Sequence, residues 1–318
     1  MLMMPFLSNM ADVVHANEPL SPHTYFGLGG AARWFARPQS MEQLREILGQ
    51  CRDENIRSYV LGLGANLLVD DDGVDGVVVR LNSPAFRRME WELEANPPRV
   101  TAAGGVDLNR LILDAVRQGL GGLECMAGIP GTLGGAIRMN AGGRFGQIAD
   151  VVREIVVVDI DGRERTMSAA EVGFRYRGSN LNNLLVCQAT LELRPEDPAE
   201  LRRRYMEIWD YKKRTQPLAY PSAGCVFRNP PGHSAGQLID RAGMKGRTIG
   251  GAMVALEHAN FIVAKEGATA RDVLALIALV RREVAERFGV ELELELEIWS
   301  SRHARSEELV AGASGGGF

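Results

Sequence analysis

The chain has 318 residues, of which 46% are hydrophobic and 24% are charged, and its formal net charge is −4. This composition is that of an ordinary globular protein with room for about two domains. The slight negative charge gives no basic field for nucleic acid or an anionic membrane surface, so we expect neither as a partner. No apolar run approaches the ~20 residues that span a bilayer, and the N-terminus lacks the features of a secretory signal.

The four cysteines are Cys51, Cys125, Cys187 and Cys225. None forms a Cys-x-x-Cys pair, and none shares metal-like spacing with a histidine. The pattern predicts four reduced cysteines in a cytoplasmic protein and no metal site.

The first elements are predicted from a capping box and from short apolar runs between glycine turns. Ser40 to Gln43 forms the box, and apolar residues at helical spacing follow it. Strands are predicted at 59–61, 67–69 and 77–79, followed by a helix at 108–116. A long glycine-rich loop is predicted from Gly119 to Gly146. Asp161-Gly162 is a strong hairpin signal between two strands, and another strand is predicted at 184–193.

The second half of the chain begins at a linker near Arg194. Asp197 with Pro198 predicts the start of a helix that runs to about Arg214, and a proline-rich segment follows. Further helices are predicted from Ser234 and over 269–288, where Gly289 ends the second one. Glutamates alternate with apolar residues from Glu291 to Ile298, which predicts a strand with one dry face. The tail at 301–318 is predicted to be disordered.

Two glycine-rich segments are candidates for binding an anion. The first, 62–66, lies between two predicted strands, and its glycines could point successive N–H groups at a pyrophosphate. A strand follows it instead of a helix, so a dinucleotide-binding Rossmann unit does not fit, and an ordinary hairpin turn is the alternative. The second, 121–142, contains so much glycine that it suggests a large flat cofactor lying on backbone. A purely structural omega-loop is the alternative there.

These segments resemble the UDP-N-acetylenolpyruvoylglucosamine reductase family, whose FAD-binding domain is of the vanillyl-alcohol-oxidase type. The resemblance covers about residues 20 to 300 and follows the family's order and spacing. The compact second domain resembles the shorter of the family's two types, which lacks an extra substrate-covering loop. The matching runs are 24–31, 62–69, 128–142 and 176–179 in the first part, and 221–230, 242–246, 258–263 and the glutamate-rich strand in the second.

The resemblance implies an α+β fold with a vanillyl-alcohol-oxidase-type (PCMH) FAD-binding domain at 28–194 and a smaller α+β C-terminal substrate domain at 200–300. It implies FAD, NADPH as co-substrate, and reduction of UDP-N-acetylglucosamine enolpyruvate to UDP-N-acetylmuramate in peptidoglycan precursor synthesis. Because the glycine loops contain no histidine, we expect the FAD to be bound non-covalently. Ala65 stands where a serine is common. The implied FAD-binding positions are Gly62, Gly64, Ala65, Asn66, Leu67, Gly128, Ile129, Pro130, Gly131, Gly134, Gly135, Asn140, Ala141 and Gly142.

The family's catalytic positions correspond to Arg177, Cys225 and Glu295. A guanidinium can bind a developing enolate through two parallel hydrogen bonds. Cys225 stands where most members have the proton-donating serine, and a thiol, with a reference pKa of ~8.5, is a stronger acid than a hydroxyl. Without the surrounding motifs, the sequence would favour a surface position for Arg177 and a small buried cysteine without a catalytic role at position 225.

The choice of Glu295 rests on alignment to the family, because Glu291, Glu293 and Glu297 share its alternation and could form one solvated stripe with it. Asn229 and Asn260 match substrate-contacting amides. Lys213, Arg214 and Lys245 are candidate partners for the substrate diphosphate, and the family pattern assigns all three less firmly than the two asparagines.

Two other functions fit parts of this pattern. One is a different FAD-dependent oxidase or dehydrogenase on the same scaffold, against which the second domain argues. The other is a non-catalytic UDP-sugar sensor, against which Arg177, Glu295 and a protic residue at 225 argue.

Overall fold

The computed structural model describes residues 10–301 and residue 310, so nearly all of the tail predicted at 301–318 lies outside the described residues. The helices are α1 (Met41–Asp53), α2 (Leu108–Arg117), α3 (Leu133–Arg138), α4 (Ala169–Val172), α5 (Pro198–Thr215), α6 (Ala235–Arg241) and α7 (Ala270–Phe288). The strands are β1 (Val14–Pro19), β2 (Ala31–Ala36), β3 (Ser58–Leu61), β4 (Leu67–Val69), β5 (Val74–Arg80), β6 (Met89–Glu92), β7 (Arg99–Ala103), β8 (Leu120–Gly121), β9 (Gly142–Gly143), β10 (Gly146–Gln147), β11 (Val152–Asp159), β12 (Glu164–Ser168), β13 (Leu184–Glu192), β14 (Arg194–Pro195), β15 (Thr248–Ile249), β16 (Ala252–Val254), β17 (Ile262–Ala264) and β18 (Glu297–Trp299).

The chain forms two compact units, and each is assembled from separate stretches of sequence. The first contains the described residues up to Ala16, Trp34–Gly62 and Val77–Lys212. The second contains Asn17–Arg33, Leu63–Gly76 and the described residues from Lys213 onward. The predicted ranges 28–194 and 200–300 are continuous, whereas these units are not. Within the second unit, β4 pairs in parallel with β18, which joins an early stretch of sequence to a late one.

The first unit is built around a five-stranded sheet of order β12-β11-β13-β7-β6, with antiparallel pairing. The hairpin predicted at Asp161-Gly162 is confirmed as the β11–β12 connection. Helix α2 begins where predicted, because the Asp107 carboxylate accepts from the Arg110 N–H at 2.9 Å, and its apolar face is buried in the same core. A second sheet has the order β1-β2-β5-β3, and a separate core cluster contains the buried face of α1.

The second unit packs α6 and α7 with the small sheet β15-β16-β17 into one apolar core. The predicted helix starts are confirmed. Ser234 caps α6, and Thr269 and Asp272 form a capping box on α7. Gly289 ends α7 in the left-handed conformation, with φ 65°, as its position after the last apolar residue predicted.

The prediction of a continuous loop from Gly119 to Gly146 was wrong, because the six-residue helix α3 lies inside it. Thr132 caps this helix by accepting from the Gly135 N–H at 3.2 Å, and Leu133 and Ile137 are buried. Two glycines in six residues disfavour a helix by propensity, so tertiary packing decides its formation.

The strand predicted from Glu291 to Ile298 is shorter than expected, since only Glu297–Trp299 is regular strand. The N–H groups of Glu295 and Leu296 both donate to the Val226 carbonyl, at 2.8 and 3.2 Å. Successive N–H groups of a regular strand point to opposite sides, so this shared acceptor requires an irregular backbone at Glu295.

Candidate active site

Two glycines of the first candidate loop are required by the packing of the protein itself. A Cβ at Gly62 would lie 2.9 Å from the Thr132 Oγ1, and one at Gly64 would lie 2.3 Å from the His23 carbonyl oxygen. Gly64 also has a φ of +66°, which side chains rarely adopt. Each of these glycines is therefore needed because another part of the protein packs closely against it, whatever ligand the loop binds.

The second loop keeps part of its backbone available to a ligand. A Cβ at Gly131 would meet nothing within 4 Å. Within residues 10–301, no acceptor takes the N–H groups of Gly131 and Thr132, whereas the next three N–H groups of the loop are bonded within the protein. An open glycine surface with two available backbone donors fits an anionic group such as the diphosphate of FAD.

Arg177 lies in a tight turn with an unusual backbone conformation. Arg175 and Gly178 exchange both of their backbone hydrogen bonds, at 2.9 and 3.1 Å, around Tyr176 and Arg177. In the described part of the chain, five residues other than glycine have a positive φ, and Arg177, at 54°, is the one that is not asparagine. The conformation costs roughly 1–2 kcal/mol for a residue other than glycine, and such strain is concentrated at functional sites.

This turn is anchored to the second candidate loop. The buried Asn140 donates from Nδ2 to the Arg175 carbonyl at 3.1 Å, and Ser179 donates from Oγ to the Arg138 carbonyl at 2.7 Å. Arg177 itself is half-buried, and its guanidinium carbon lies 5.3 Å from the centre of the Tyr176 ring. The predicted catalytic arginine is therefore held by the loop that carries several predicted cofactor positions.

Lys212 is a charged group near Arg177 that the sequence did not single out. Its Nζ is buried, with no hydrogen-bond partner among the described residues. Burial lowers the pKa of Lys212 to about 8; the charge of Arg177 also lowers it, and Cys125 acts in the opposite direction. The named candidates Lys213 and Arg214 are exposed.

The second unit brings Cys225 and Glu295 onto adjoining backbone segments. Cys225 pairs with Phe261 in an isolated antiparallel bridge, and the next residue, Val226, accepts the N–H of Glu295 at 2.8 Å. Two residues on, Phe227 pairs with Leu294. These pairings place the two residues on neighbouring lengths of chain, and their shared catalytic role remains a prediction.

Burial distinguishes Glu295 from the other glutamates of the stripe. Glu291, Glu293 and Glu297 are exposed, whereas Glu295 is half-buried. Glu297 instead accepts a hydrogen bond from the Trp299 indole N–H at 3.1 Å. The irregular backbone at Glu295 gives it surroundings that differ from those of its neighbours in the alternation.

The three predicted substrate residues lie in the second unit and already have partners there. The buried Asn260 accepts from the Phe227 N–H at 2.9 Å and donates to the Phe227 carbonyl at 2.7 Å. Asn229 accepts from the Ala235 N–H at 2.9 Å at the start of α6, and Lys245 lies 3.0 Å from Asp240. Asn260 therefore fixes the backbone two residues after Cys225, and its contact with substrate remains a prediction, as do those of Asn229 and Lys245.

None of the described helices is both long and apolar enough to cross a membrane. Within residues 10–301, no group of three or more His, Cys, Asp and Glu side chains is arranged to hold a metal ion.

Two family models match this chain. The model described as UDP-N-acetylenolpyruvoylglucosamine reductase, C-terminal domain, matches residues 216–299, and the model described as FAD binding domain matches residues 32–168. These matches and the mixed helices and strands confirm the predicted α+β class, with an FAD-binding domain followed by a smaller C-terminal domain.

Individual relatives match over almost their whole length. The chain is 44% identical to UDP-N-acetylenolpyruvoylglucosamine reductase of Moorella thermoacetica, covering 90% of this chain and 93% of that protein. It is 39% identical to the protein of the same name from Listeria monocytogenes, covering 90% and 94%. The crystal structure of UDP-N-acetylenolpyruvylglucosamine reductase from Thermus caldophilus has a TM-score of 0.76 and 39% identity, covering 90% and 98%. The chain therefore belongs to the UDP-N-acetylenolpyruvoylglucosamine reductase family.

Proposed function

We propose that this chain reduces UDP-N-acetylglucosamine enolpyruvate to UDP-N-acetylmuramate with NADPH, in the cytoplasm and without a nucleic-acid or membrane partner. The proposed product is a precursor of peptidoglycan. The observation that carries the proposal is the 2.8 Å hydrogen bond from the Glu295 N–H to the Val226 carbonyl, which sets the half-buried Glu295 beside the segment bearing Cys225. A carboxyl group and a thiol on adjoining segments suit a reaction that must end with a proton transfer.

FAD, when bound, would supply the hydride chemistry that the reduction of the enolpyruvyl double bond requires, with NADPH as the source of electrons. The open backbone at Gly131 and Thr132 fits part of this cofactor. We propose that the other predicted positions in the two glycine loops hold the remainder.

The protein's own part begins with the negative charge that hydride addition leaves next to the substrate carboxylate. We propose that the Arg177 guanidinium binds this enolate-like charge through two parallel hydrogen bonds. Cys225 then donates its thiol proton to the carbanionic carbon, and Glu295 takes part in the proton transfer beside it. The strained turn at Arg177 supports a functional role for that residue.

The test of the proposed function is a two-stage absorbance experiment on purified yellow protein under anaerobic conditions. NADPH should bleach the flavin band, and UDP-N-acetylglucosamine enolpyruvate should restore it with release of the reduced sugar nucleotide. Recolouring by oxygen and a small alcohol substrate, with no response to the enolpyruvyl sugar, would indicate an oxidase or dehydrogenase. Binding of the sugar nucleotide without turnover would indicate a sensor.

We predict that FAD is bound non-covalently. Neither glycine loop contains a histidine, and Cys125, the one cysteine within them, donates to the Gly122 carbonyl at 3.4 Å. Burial is the main cause that raises the pKa of Cys125 to about 11, which keeps it a poor nucleophile. Acid precipitation should release all of the flavin into the supernatant, and yellow colour retained in the washed pellet would contradict this prediction.

Replacing Glu295 by glutamine should lower the rate of the oxidative half-reaction, the step in which reduced enzyme reacts with the enolpyruvyl sugar, by ~100-fold or more, since acid–base groups contribute factors of this size. Glu293→Gln and Glu297→Gln are matched controls, because both carboxyl groups are exposed and glutamine can still accept from Trp299. Exposed substitutions of this kind change stability by less than ~0.5 kcal/mol. Equal single-turnover rates for all three variants would indicate that Glu295 is a solvated glutamate like its neighbours and has no catalytic role.

A further inference from the structure

Asn66 joins the first candidate cofactor loop to the backbone of Glu295. It is the residue before β4, and its side-chain Nδ2 donates to the Glu295 carbonyl at 3.0 Å. Its own carbonyl accepts from the Glu297 N–H at 3.2 Å, just where β18 begins to pair with β4. Asn66 therefore makes two hydrogen bonds to the peptide groups on the C-terminal side of Glu295: its side chain donates one and its carbonyl accepts the other.

The N-terminal side of Glu295 is fixed as well. Its N–H donates to the Val226 carbonyl at 2.8 Å, next in sequence to Cys225. The peptide groups on both sides of Glu295 are thus tied, one to the segment of the proposed proton donor and one to Asn66. Because the backbone is irregular here and lacks a regular ladder, the Asn66 carboxamide replaces a ladder hydrogen bond that a strand would have supplied.

We propose that Asn66 is a positioning residue for Glu295, acting through the Glu295 backbone whether or not it also contacts FAD. The inference rests on the catalytic role proposed for Glu295. A carboxamide is needed because the group that it meets is a carbonyl, which requires a donor. Aspartate has the same shape, but its carboxylate only accepts, so it would repel the Glu295 carbonyl. A displacement of ~1 Å of a catalytic group can cost ~100-fold in rate.

The test is a double-mutant cycle on the oxidative half-reaction, measured by single-turnover reoxidation of fully flavin-loaded enzyme. Asn66→Ala and Asn66→Asp should each slow it by ~10-fold or more, and Glu295→Gln should slow it further. The double variant Asn66→Ala/Glu295→Gln should react at the rate of Glu295→Gln alone, because a misplaced carboxyl group cannot matter once that group is gone. Rates that multiply in the double variant would overturn the positioning role.

A second readout needs no turnover. In Asn66→Ala without ligands, the backbone amides of Glu295 and Leu296 should exchange hydrogen faster, since the segment that presents them to Val226 has lost its other anchor. Unchanged exchange at these two amides would also overturn the proposal. So would a variant that binds less FAD but reacts at the wild-type rate per bound flavin, because Asn66 would then be a cofactor contact only.

Asp71→Ala is the matched structural control. Asp71 lies five residues after Asn66, and its carboxylate accepts from the Ala270 and Arg271 N–H groups at 2.8 and 3.0 Å at the start of α7. Its loss should lower Tm at least as much as Asn66→Ala, since two backbone N–H groups at the start of a long helix lose their acceptor, yet leave the oxidative half-reaction within twofold of wild type. A slow Asp71→Ala would overturn the proposal by showing that loosening this stretch of chain is sufficient. If Glu295→Gln itself reacts at the wild-type rate, the catalytic role proposed for Glu295 is wrong. If Glu295→Gln is slow but the effects of the two substitutions multiply in the double variant, only the positioning role of Asn66 is wrong.

Discussion

Arg177→Lys should lower kcat by ~100-fold or more while reduction of the flavin by NADPH keeps nearly its normal rate. Lysine preserves the positive charge but loses the planar fork, so only the step that develops enolate charge should suffer. Removal of one preorganised donor from a developing oxyanion typically costs 100- to 1,000-fold in kcat, which sets the scale. Stopped-flow absorbance separates the two half-reactions directly.

The structure supplies both the reason for expecting a specific effect and its control. Lysine is no more strained than arginine at a φ of 54°, and its unchanged charge still lowers the pKa of Lys212, so the local field is conserved. Arg175→Lys is the matched control, because Arg175 lies in the same turn but is exposed and pairs with the Asn180 side chain. Slowed reduction by NADPH in Arg177→Lys, with normal reoxidation, would contradict the assignment.

Local signals predicted the helix ends well because each signal has a short-range cause. Asp107, Ser234 and Thr269 cap helices through bonds that close within three residues, and Gly289 ends α7 by adopting a positive φ. Helix α3 has such a cap too, at Thr132, but its two glycines hid it. Burial of Leu133 and Ile137 stabilises that helix, and burial is a property of the folded chain that glycine content does not reveal.

In the candidate site, too, some residues could be identified from the sequence and others only from the fold. The order of motifs selected Arg177 and Cys225, but alternation could not separate Glu295 from its neighbours, because the periodicity of a strand gives all four glutamates the same face. The distinction comes from the fold, in which Val226 and Asn66, both distant in sequence, hydrogen-bond the irregular backbone at Glu295. In the basic run at 212–214, only the fold decides which cation is buried, and it is Lys212.

The sequence predicts that the glycine loops are surfaces for a cofactor. In the structure, some of their glycines are needed for packing within the protein and others face open space. Gly62 and Gly64 meet their own unit at distances that exclude a Cβ, whereas Gly131 faces open space. A glycine needed for self-packing and one needed for a ligand look identical in sequence. Glycine density alone therefore predicts close backbone approach but does not identify the approaching group.

Cys225→Ala should accept hydride from NADPH normally but fail to complete turnover, whereas Cys225→Ser should keep substantial activity. Both substitutions suit a small, half-buried site, and only serine keeps a protic group on the same carbon. The pH profile should differ as well. A thiol donates only while protonated, so the oxidative half-reaction of the natural enzyme should fall at alkaline pH as the thiol ionises, and that fall should be absent in Cys225→Ser.

The other three cysteines make alkylation a selective probe of Cys225. Burial is the main cause that raises the pKa of Cys51 and Cys187 to about 12 and that of Cys125 to about 11, so their thiolate fractions near neutral pH are very small. Iodoacetamide should therefore inactivate the enzyme by modifying Cys225, bound enolpyruvyl sugar should protect it, and Cys225→Ser should resist. The decisive measurement is single-turnover reoxidation of reduced Cys225→Ala by the enolpyruvyl sugar. Product release at the wild-type rate would mean that Cys225 is not the proton donor and that the correspondence with the family's serine fails at this position.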